Sequence, residues 1–246
     1  MRHHKLLAWV GISSALTEAT GVIGRLVLNG NNVSVTEFPL PSPGKGTQEI
    51  VTGLDGNLWF TEFDFGGGTS LIGRSTTTGV ITEFTIPTAG SFPVGIAAGP
   101  DGNIWFTEGG PGKIGRLTPS SGTFAEFVAP ASNGTLTDIV TGSDGNLWFT
   151  DSVGKIGRIT PTGTITEFAV PSAGGYLAHI VAGPDGNLWF TDFVRHYIGR
   201  ATTAGVITEF ALPSPGGPNG IEVGSDGNIW FGEANGTPAK VGRLTL

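Results

Sequence analysis

Five copies of one phrase set the terms on which this chain can fold. Asp55, Asp101, Asp144, Asp185 and Asp226 each open the run Asp-Gly-Asn, followed by Leu or Ile, Trp and Phe. In the copy from Asp144 to Arg158, DGNLWFTDSVGKIGR, Gly145 can supply the positive φ of a tight turn, and the Asx side chains can cap backbone amides. Leu147 to Thr150 is an aromatic-rich run suited to a pleated, half-buried surface. A short polar loop then leads to a second strand that begins Lys155-Ile156-Gly157-Arg158. The tryptophans of the five copies, Trp59, Trp105, Trp148, Trp189 and Trp230, are spaced 46, 43, 41 and 41 residues apart. Repeats of this length stack on their neighbours and seldom fold alone.

Each full repeat reads as four strands. The innermost is short and mostly apolar: Ile50-Val51, Ile96-Ala97, Ile139-Val140, Ile180-Val181 and Ile221-Glu222. The second is the Trp-Phe strand. The third carries Ile-Gly-Arg or Val-Gly-Arg, ending at Arg25, Arg74, Arg116, Arg158, Arg200 and Arg243. The fourth carries Glu-Phe, at Phe38, Phe84, Phe127, Phe168 and Phe210. Four-stranded antiparallel units of this period predict an all-β chain, a β-propeller of six blades forming one domain over residues 1–246. The last unit reaches only its third strand, so the ring is either weakly closed or short of a seventh unit. The 42 glycines and 16 prolines fit many short strands joined by turns.

The N-terminus reads in two ways. A basic start (Arg2, Lys5) and an apolar stretch from Leu6 to Ile12 resemble a short signal peptide. The interval from Glu18 to Ile23 instead matches that from Asp151 to Ile156, and this register favours a degenerate first repeat. In that register Ala15 takes the tryptophan position, Leu6 opens the first inner strand, and Trp9 falls near that strand's end. No run of apolar residues is long enough for a transmembrane helix, and the compartment is left open.

Composition narrows the partners. With 13 Lys+Arg against 20 Asp+Glu and no basic run, nucleic acid and anionic membranes are not expected partners. The absence of cysteine excludes disulfides and thiolate metal sites. A small molecule or a peptide is the expected partner, and oligomeric state is not legible.

Every second strand ends in a carboxylate: Glu18, Glu62, Glu108, Asp151, Asp192 and Glu233. A group repeated in every blade more often serves the blade than a ligand, because a unique site needs asymmetry. The arginines are read in the same way, as structural partners of the Glu37, Glu83 and Glu167 series. Asymmetry comes from the histidines. His4 lies at the start of the first inner strand, His179 precedes Ile180, and His196 lies in the loop after Asp192. Only the fifth repeat gathers His179, Asp192, Arg195, His196 and Tyr197 near one face. A histidine beside a carboxylate can act as a general base or a metal ligand; the alternative is a set of exposed loop residues. The catalytic candidates are therefore His4, His179 and His196. Tyr176, Arg195, Tyr197 and Asn219 are the candidate ligand contacts, and Asp192 and Glu233 the candidate metal ligands.

The words Gly183 to Asp192, GPDGNLWFTD, with Ile198-Gly199-Arg200 and Ile207-Thr208-Glu209-Phe210, resemble the virginiamycin B lyase (streptogramin lyase) family over essentially the whole chain. The resemblance implies a propeller and a lyase that opens a cyclic antibiotic by elimination across its ester, with magnesium polarising the ester and a histidine removing the α-proton. The family opens its last blade with Glu-Pro-His-Gly-Ile, where this chain has Gly217, Pro218, Asn219, Gly220 and Ile221. In the preceding blade the family's histidine position is held by Ala178, and His179 lies one residue later. Glu233 holds the place of a further family acid. Two functions follow as expectations: a binding module that uses the funnel face, and a metal-assisted lyase with a relocated site.

Overall fold

The computed structural model describes residues 6–10, 21–29, 32–64, 66–130, 135–172, 174–213, 216–234 and 239–246. Their strands form six antiparallel sheets, four of four strands and two of three. Blade one holds β1 (Leu6–Val10), β2 (Val22–Asn29) and β3 (Asn32–Pro39). Blade two holds β4 (Lys45–Thr52), β5 (Leu58–Asp64), β6 (Leu71–Ser75) and β7 (Ile81–Thr85). Blade three follows with β8 (Pro93–Ala98), β9 (Ile104–Glu108), β10 (Lys113–Thr118) and β11 (Thr123–Val128). Blade four has β12 (Leu136–Thr141), β13 (Leu147–Asp151), β14 (Lys155–Ile159) and β15 (Ile165–Ala169). Blade five has β16 (Leu177–Ala182), β17 (Leu188–Asp192), β18 (Tyr197–Ala201) and β19 (Ile207–Ala211). Blade six has β20 (Gly217–Val223), β21 (Ile229–Ala234) and β22 (Lys240–Leu244). The chain is a six-bladed β-propeller, as its repeats predict, and among the described residues its last blade has three strands.

Blade one departs from the expected register. β1 pairs directly with β2, placing Trp9 opposite Gly24 as Phe60 stands opposite Gly73 in blade two. Leu6–Val10 thus occupies the place of a second strand rather than an inner one, and it touches β4 as β5 touches β8. The physical reason is that an apolar five-residue strand can satisfy the otherwise bare edge of β2. The Ala15 and Glu18 assignments lie outside the described residues.

The repeated words explain the blade interfaces. In each of the five Asp-Gly-Asn turns the Asp carboxylate accepts from the Asn backbone and side-chain amides and from the Trp indole N–H, the last at 3.0–3.1 Å. Both carboxylate oxygens are engaged, so the turn accounts for these acids without a calcium ion. Held this way, Trp59 packs into a cluster with Ile96, Ile104 and Leu117 of the next blade. The Phe beside each Trp turns to the opposite face, and Phe60 packs on Ile23 and Leu40 of blade one. Threonine completes the joint: Thr61 and Thr191 donate to the carbonyls of Val94 and Asn219 in the following blade.

The Ile-Gly-Arg strand is equally constrained. A Cβ on Gly157 would fall inside the Phe149 ring, and the same holds for Gly115 with Phe106 and Gly199 with Phe190. The arginines stack rather than pair with the outer-strand glutamates. Arg116 lies over Trp105 and Phe127 at 5.4 and 5.6 Å and donates to the Pro161 carbonyl of the next blade. Arg158 repeats this over Trp148 and Phe168, reaching the Thr203 carbonyl. The glutamates instead meet lysine or hydroxyl groups, as in Lys113–Glu126, Lys155–Glu167 and Ser42–Glu83. Guanidinium is the weaker-hydrated cation and stacks readily on aromatic faces, which explains the exchange of partners.

Gly157→Ala should therefore lower stability by about 1–3 kcal/mol, the usual cost of forcing atoms into a packed core. Gly232→Ala, where a Cβ meets nothing within 4 Å, should stay within about 0.5 kcal/mol. Urea unfolding of the two variants checks this, and equal losses would show that the close glycine–phenylalanine approach is not the constraint.

Candidate functional site

Two hollows lie where blades differ. The first is the central channel. Inner strands β4, β8, β12, β16 and β20 line a cavity of about 360 Å3 whose polar groups are Glu49, Asp138, Thr141, His179 and Glu222. Glu49, Asp138 and His179 all sit one residue before the inner-strand Ile, at a register shift in each strand pair. Gly95 and Gly220 hold that place in blades three and six.

The channel acids are tied to backbone. Glu49 Oε2 accepts from the Ile96 amide of the next blade at 2.9 Å, and Asp138 Oδ2 accepts from Ile180 at 2.9 Å. Asp138 Oδ1 takes the Ile139 amide at 2.7 Å. His179 Nδ1 stands 3.3 Å from Asp138 Oδ2, with its side chain 45% exposed to the channel. Burial first, and then the neighbouring charge of Asp138, push the Glu49 carboxyl up to about 9, so it holds its proton at neutral pH. The channel therefore presents a protonated carboxyl at Glu49, the Asp138–His179 contact and a further acid, Glu222.

The second hollow opens at the edge of blades five and six. Tyr176, Phe193, Val194 and Asn219 line about 460 Å3 of largely apolar space. Tyr176 is 41% exposed and meets Phe193 edge-on, ring centroids 6.5 Å apart. The Asn219 carbonyl is occupied by Thr191, while its side chain lies at the surface. Asp192 builds the rim. Its Oδ1 accepts the Tyr176 and Arg195 amides at 3.2 and 3.0 Å, locking the loop after β17 against the loop before β16. Gly175 is required here, since a Cβ would collide with Asp192 Oδ2.

The residues singled out from the sequence thus divide between sites. Tyr176 and Asn219 come together in the second hollow. His179 turns instead to Asp138 in the channel, away from the Asp192 loop contacts. Arg195 is exposed and joins Asp192 through its backbone, and His196 takes a left-handed φ of 60° in the same loop, its carbonyl accepting from Leu212. Tyr197 begins β18 opposite Asp192. His4 lies outside the described residues. Glu49, Asp138, Glu222, Phe193 and Val194 were not singled out. Glu49 and Asp138 hold the place before the inner-strand Ile that varies from blade to blade, which is their signal in the sequence; Glu222 follows that Ile, and Phe193 and Val194 lie in the loop after Asp192.

The ring of second-strand acids behaves as blade architecture. Glu62, Glu108, Asp151, Asp192 and Glu233 are all buried. Burial, followed by the charge of Glu83, raises Glu62 to about 8; burial and Glu126 raise Glu108 to about 7. Burial also raises Asp151 and Asp192. For the magnesium ion implied by the family resemblance, the residues do not fit. Asp192 spends one oxygen on two amides, Glu233 lies on another blade, and no three His, Asp or Glu groups converge to hold a metal among the described residues. Among those residues no helix is long and apolar enough to cross a membrane.

These features define a six-bladed propeller whose departures from the repeat gather in the channel and at the blade five–six edge. The Virginiamycin B lyase family model matches residues 15–154 and 120–246, and the chain belongs to that family. Virginiamycin B lyase from Staphylococcus aureus is 32% identical, with a TM-score of 0.78 over 99% of this chain and 89% of that one. A catalytically inactive variant of the same enzyme, solved with quinupristin, is 33% identical with a TM-score of 0.81 over 98% and 86%. A streptogramin B lyase structure is 35% identical, with a TM-score of 0.80 over 96% and 78%. No curated protein sequence matches the chain.

Raised carboxyl pKa values set a pH dependence. A folded pKa of about 8 for Glu62 exceeds its ordinary value of 4.5, so the folded state binds more protons between those values. The contribution of Glu62 is full below pH 4.5 and falls as pH rises toward 8. Glu62→Gln should flatten that decline between pH 5 and pH 8 in urea midpoints. An unchanged slope would mean Glu62 is ionised in the folded protein.

Proposed function

We propose that this propeller is a binding module for a small molecule or polypeptide, with the ligand seated at the funnel face against Tyr176, Phe193, Val194 and Asn219. The carrying observation is the largely apolar hollow of about 460 Å3 with one exposed amide side chain at its wall. Aromatic walls with few placed polar groups are the usual make-up of small-ligand sites. An edge-on Tyr176–Phe193 pair offers a rigid apolar shelf, and Asn219 offers both a donor and an acceptor to a peptide bond. Quinupristin, present in the structure of a relative, is the first ligand to try.

A second reading is lyase action on a streptogramin B-type depsipeptide, eliminating across its ester. What favours it is family membership and 32–35% identity to solved lyases. Against it stands Asn219, whose amide cannot serve as a general base. His179 beside Asp138 is the group that this reading would place as base, acting from the channel.

Calorimetric titration with quinupristin separates the two. The binding reading expects saturable association, unaffected by chelator, and weakened about tenfold by Tyr176→Ala, equivalent to about 1.4 kcal/mol. It also expects the depsipeptide to be recovered cyclic. Magnesium-dependent conversion to the linear form, lost in His179→Ala, would replace the first reading with the second.

A further inference from the structure

In blades two, three and five the inner strand bulges just before its Ile, and two residues face one threonine of the second strand. The amide of the second bulge residue donates to that threonine: Glu49 to Thr61 at 3.2 Å, Gly95 to Thr107 at 2.9 Å and His179 to Thr191 at 3.1 Å. One hydroxyl thus satisfies an amide that the ladder leaves unpaired and holds the backbone around it.

Blade six keeps the bulge and loses the hydroxyl. Pro218 stands opposite Glu233 and Ile221 opposite Phe231, so Asn219 and Gly220 face Gly232. Glycine has no side-chain acceptor, and the Gly220 amide is without the partner that the other bulges supply. A Cβ at Gly220 or at Gly232 would meet nothing within 4 Å, which leaves the backbone room to turn. The Asn219 side chain is exposed on the wall of the blade five–six hollow. Among the described bulges this one reads Asn-Gly, whereas the others read Gln48-Glu49, Val94-Gly95, Thr137-Asp138 and Ala178-His179.

We propose that Asn219 is a site of spontaneous covalent modification, in which the Gly220 amide nitrogen closes a succinimide on the Asn219 side chain and water opens the ring to aspartate or isoaspartate. The nitrogen gives its proton to solvent base and bonds to Cγ of Asn219, and the side-chain nitrogen leaves as ammonia. Water then breaks one of the two ring C–N bonds. Opening at Cγ restores the chain with a carboxylate side chain. Opening at the backbone carbonyl leaves the chain running through Cγ, with the former carbonyl as a free carboxylate. The net reaction consumes one water and releases one ammonia, and it needs no other reactant. The bulge supplies each requirement: an amide that no threonine holds, no side chain on residue 220 to block the approach, and a backbone with room to bring nitrogen onto Cγ. Either product replaces the amide in the hollow wall by a negative charge. In isoaspartate the carbonyl that accepts from Thr191 at 2.9 Å becomes the free carboxylate, so the joint between blades five and six is altered as well. The modification itself does not depend on what the hollow binds.

The test incubates the purified full chain at mildly alkaline pH and follows its tryptic fragment 201–240 by tandem mass spectrometry, which separates Asn219-Gly220 from Asn235-Gly236. Labelling by an isoaspartyl methyltransferase measures the isoaspartate. The peptide GGPNGIEVG, identical to residues 216–224, gives the rate without the fold. Conversion at residue 219 of the folded chain should run within about tenfold of the peptide's rate, and it should quicken with pH because the amide must lose its proton. Gly232→Thr, which returns the hydroxyl, and Gly220→Ala, which hinders the approach, should each slow conversion about tenfold, a barrier higher by about 1.4 kcal/mol. Circular dichroism checks that both variants fold. Asn219 recovered intact while the peptide converts, or conversion unchanged by Gly232→Thr, overturns the proposal. So does conversion seen in urea and not in the folded chain, since the reaction would then belong to the unfolded state.

Discussion

The indole N–H of each repeat tryptophan, held by an aspartate four residues earlier, is the contact on which the blades depend. It fixes a large side chain at the joint with the next blade, or in blade six at an open face. A buried tryptophan removes roughly 150–250 Å2 from water. At ~25 cal/mol per Å2 that is an upper limit of about 4–6 kcal/mol for each joint. An indole without a partner for its N–H would forfeit much of this, because an unsatisfied buried donor costs about 1–3 kcal/mol. The Asp-Gly-Asn turn therefore acts on packing as much as on chain reversal.

The rest of each word follows from that placement. With Trp facing forward, Phe must face back, and the glycine opposite it clears room for the ring. Arginine then covers the Trp and the outer-strand Phe, joining second, third and fourth strands through one stacked column. In blade six, where three strands are described, Trp230 and Val241 face outward. The same repetition explains the ring of buried carboxylates; for Glu62, Glu108, Asp151 and Asp192 it is burial first of all that raises the carboxyl.

The proposed function draws on the positions that break the repeat. In the channel these are Glu49, Asp138 and His179, one residue before the inner-strand Ile, where other blades carry glycine. At the blade five–six edge they are Tyr176, the Phe193-Val194 loop and Asn219. Membership of the virginiamycin B lyase family fixes the scaffold. Asn219 and Ala178 stand where the resemblance implies histidine, so these two positions depart from the family pattern.

By itself the sequence determined the six units, the four-strand pattern of the complete ones, the roles of Trp, Gly and the Asp-Gly-Asn turn, and the structural character of the recurring acids. These are local or repeated properties, and repetition makes a weak signal legible by stating it five times. Only the tertiary structure decided where single residues go. A register shift before each inner-strand Ile turns His179 to Asp138 of the neighbouring blade, a contact 41 positions away that no spacing rule reveals. Arginine exchanged the expected glutamate for aromatic faces because the register sets Glu167 opposite Gly157 and Thr166 opposite Arg158, which puts the acid and the guanidinium on opposite faces of the sheet. Leu6–Val10 joined β2 because an unpaired strand edge accepts the apolar segment that can reach it. Each outcome depends on contacts between distant parts of the chain, which one repeat unit cannot specify on its own.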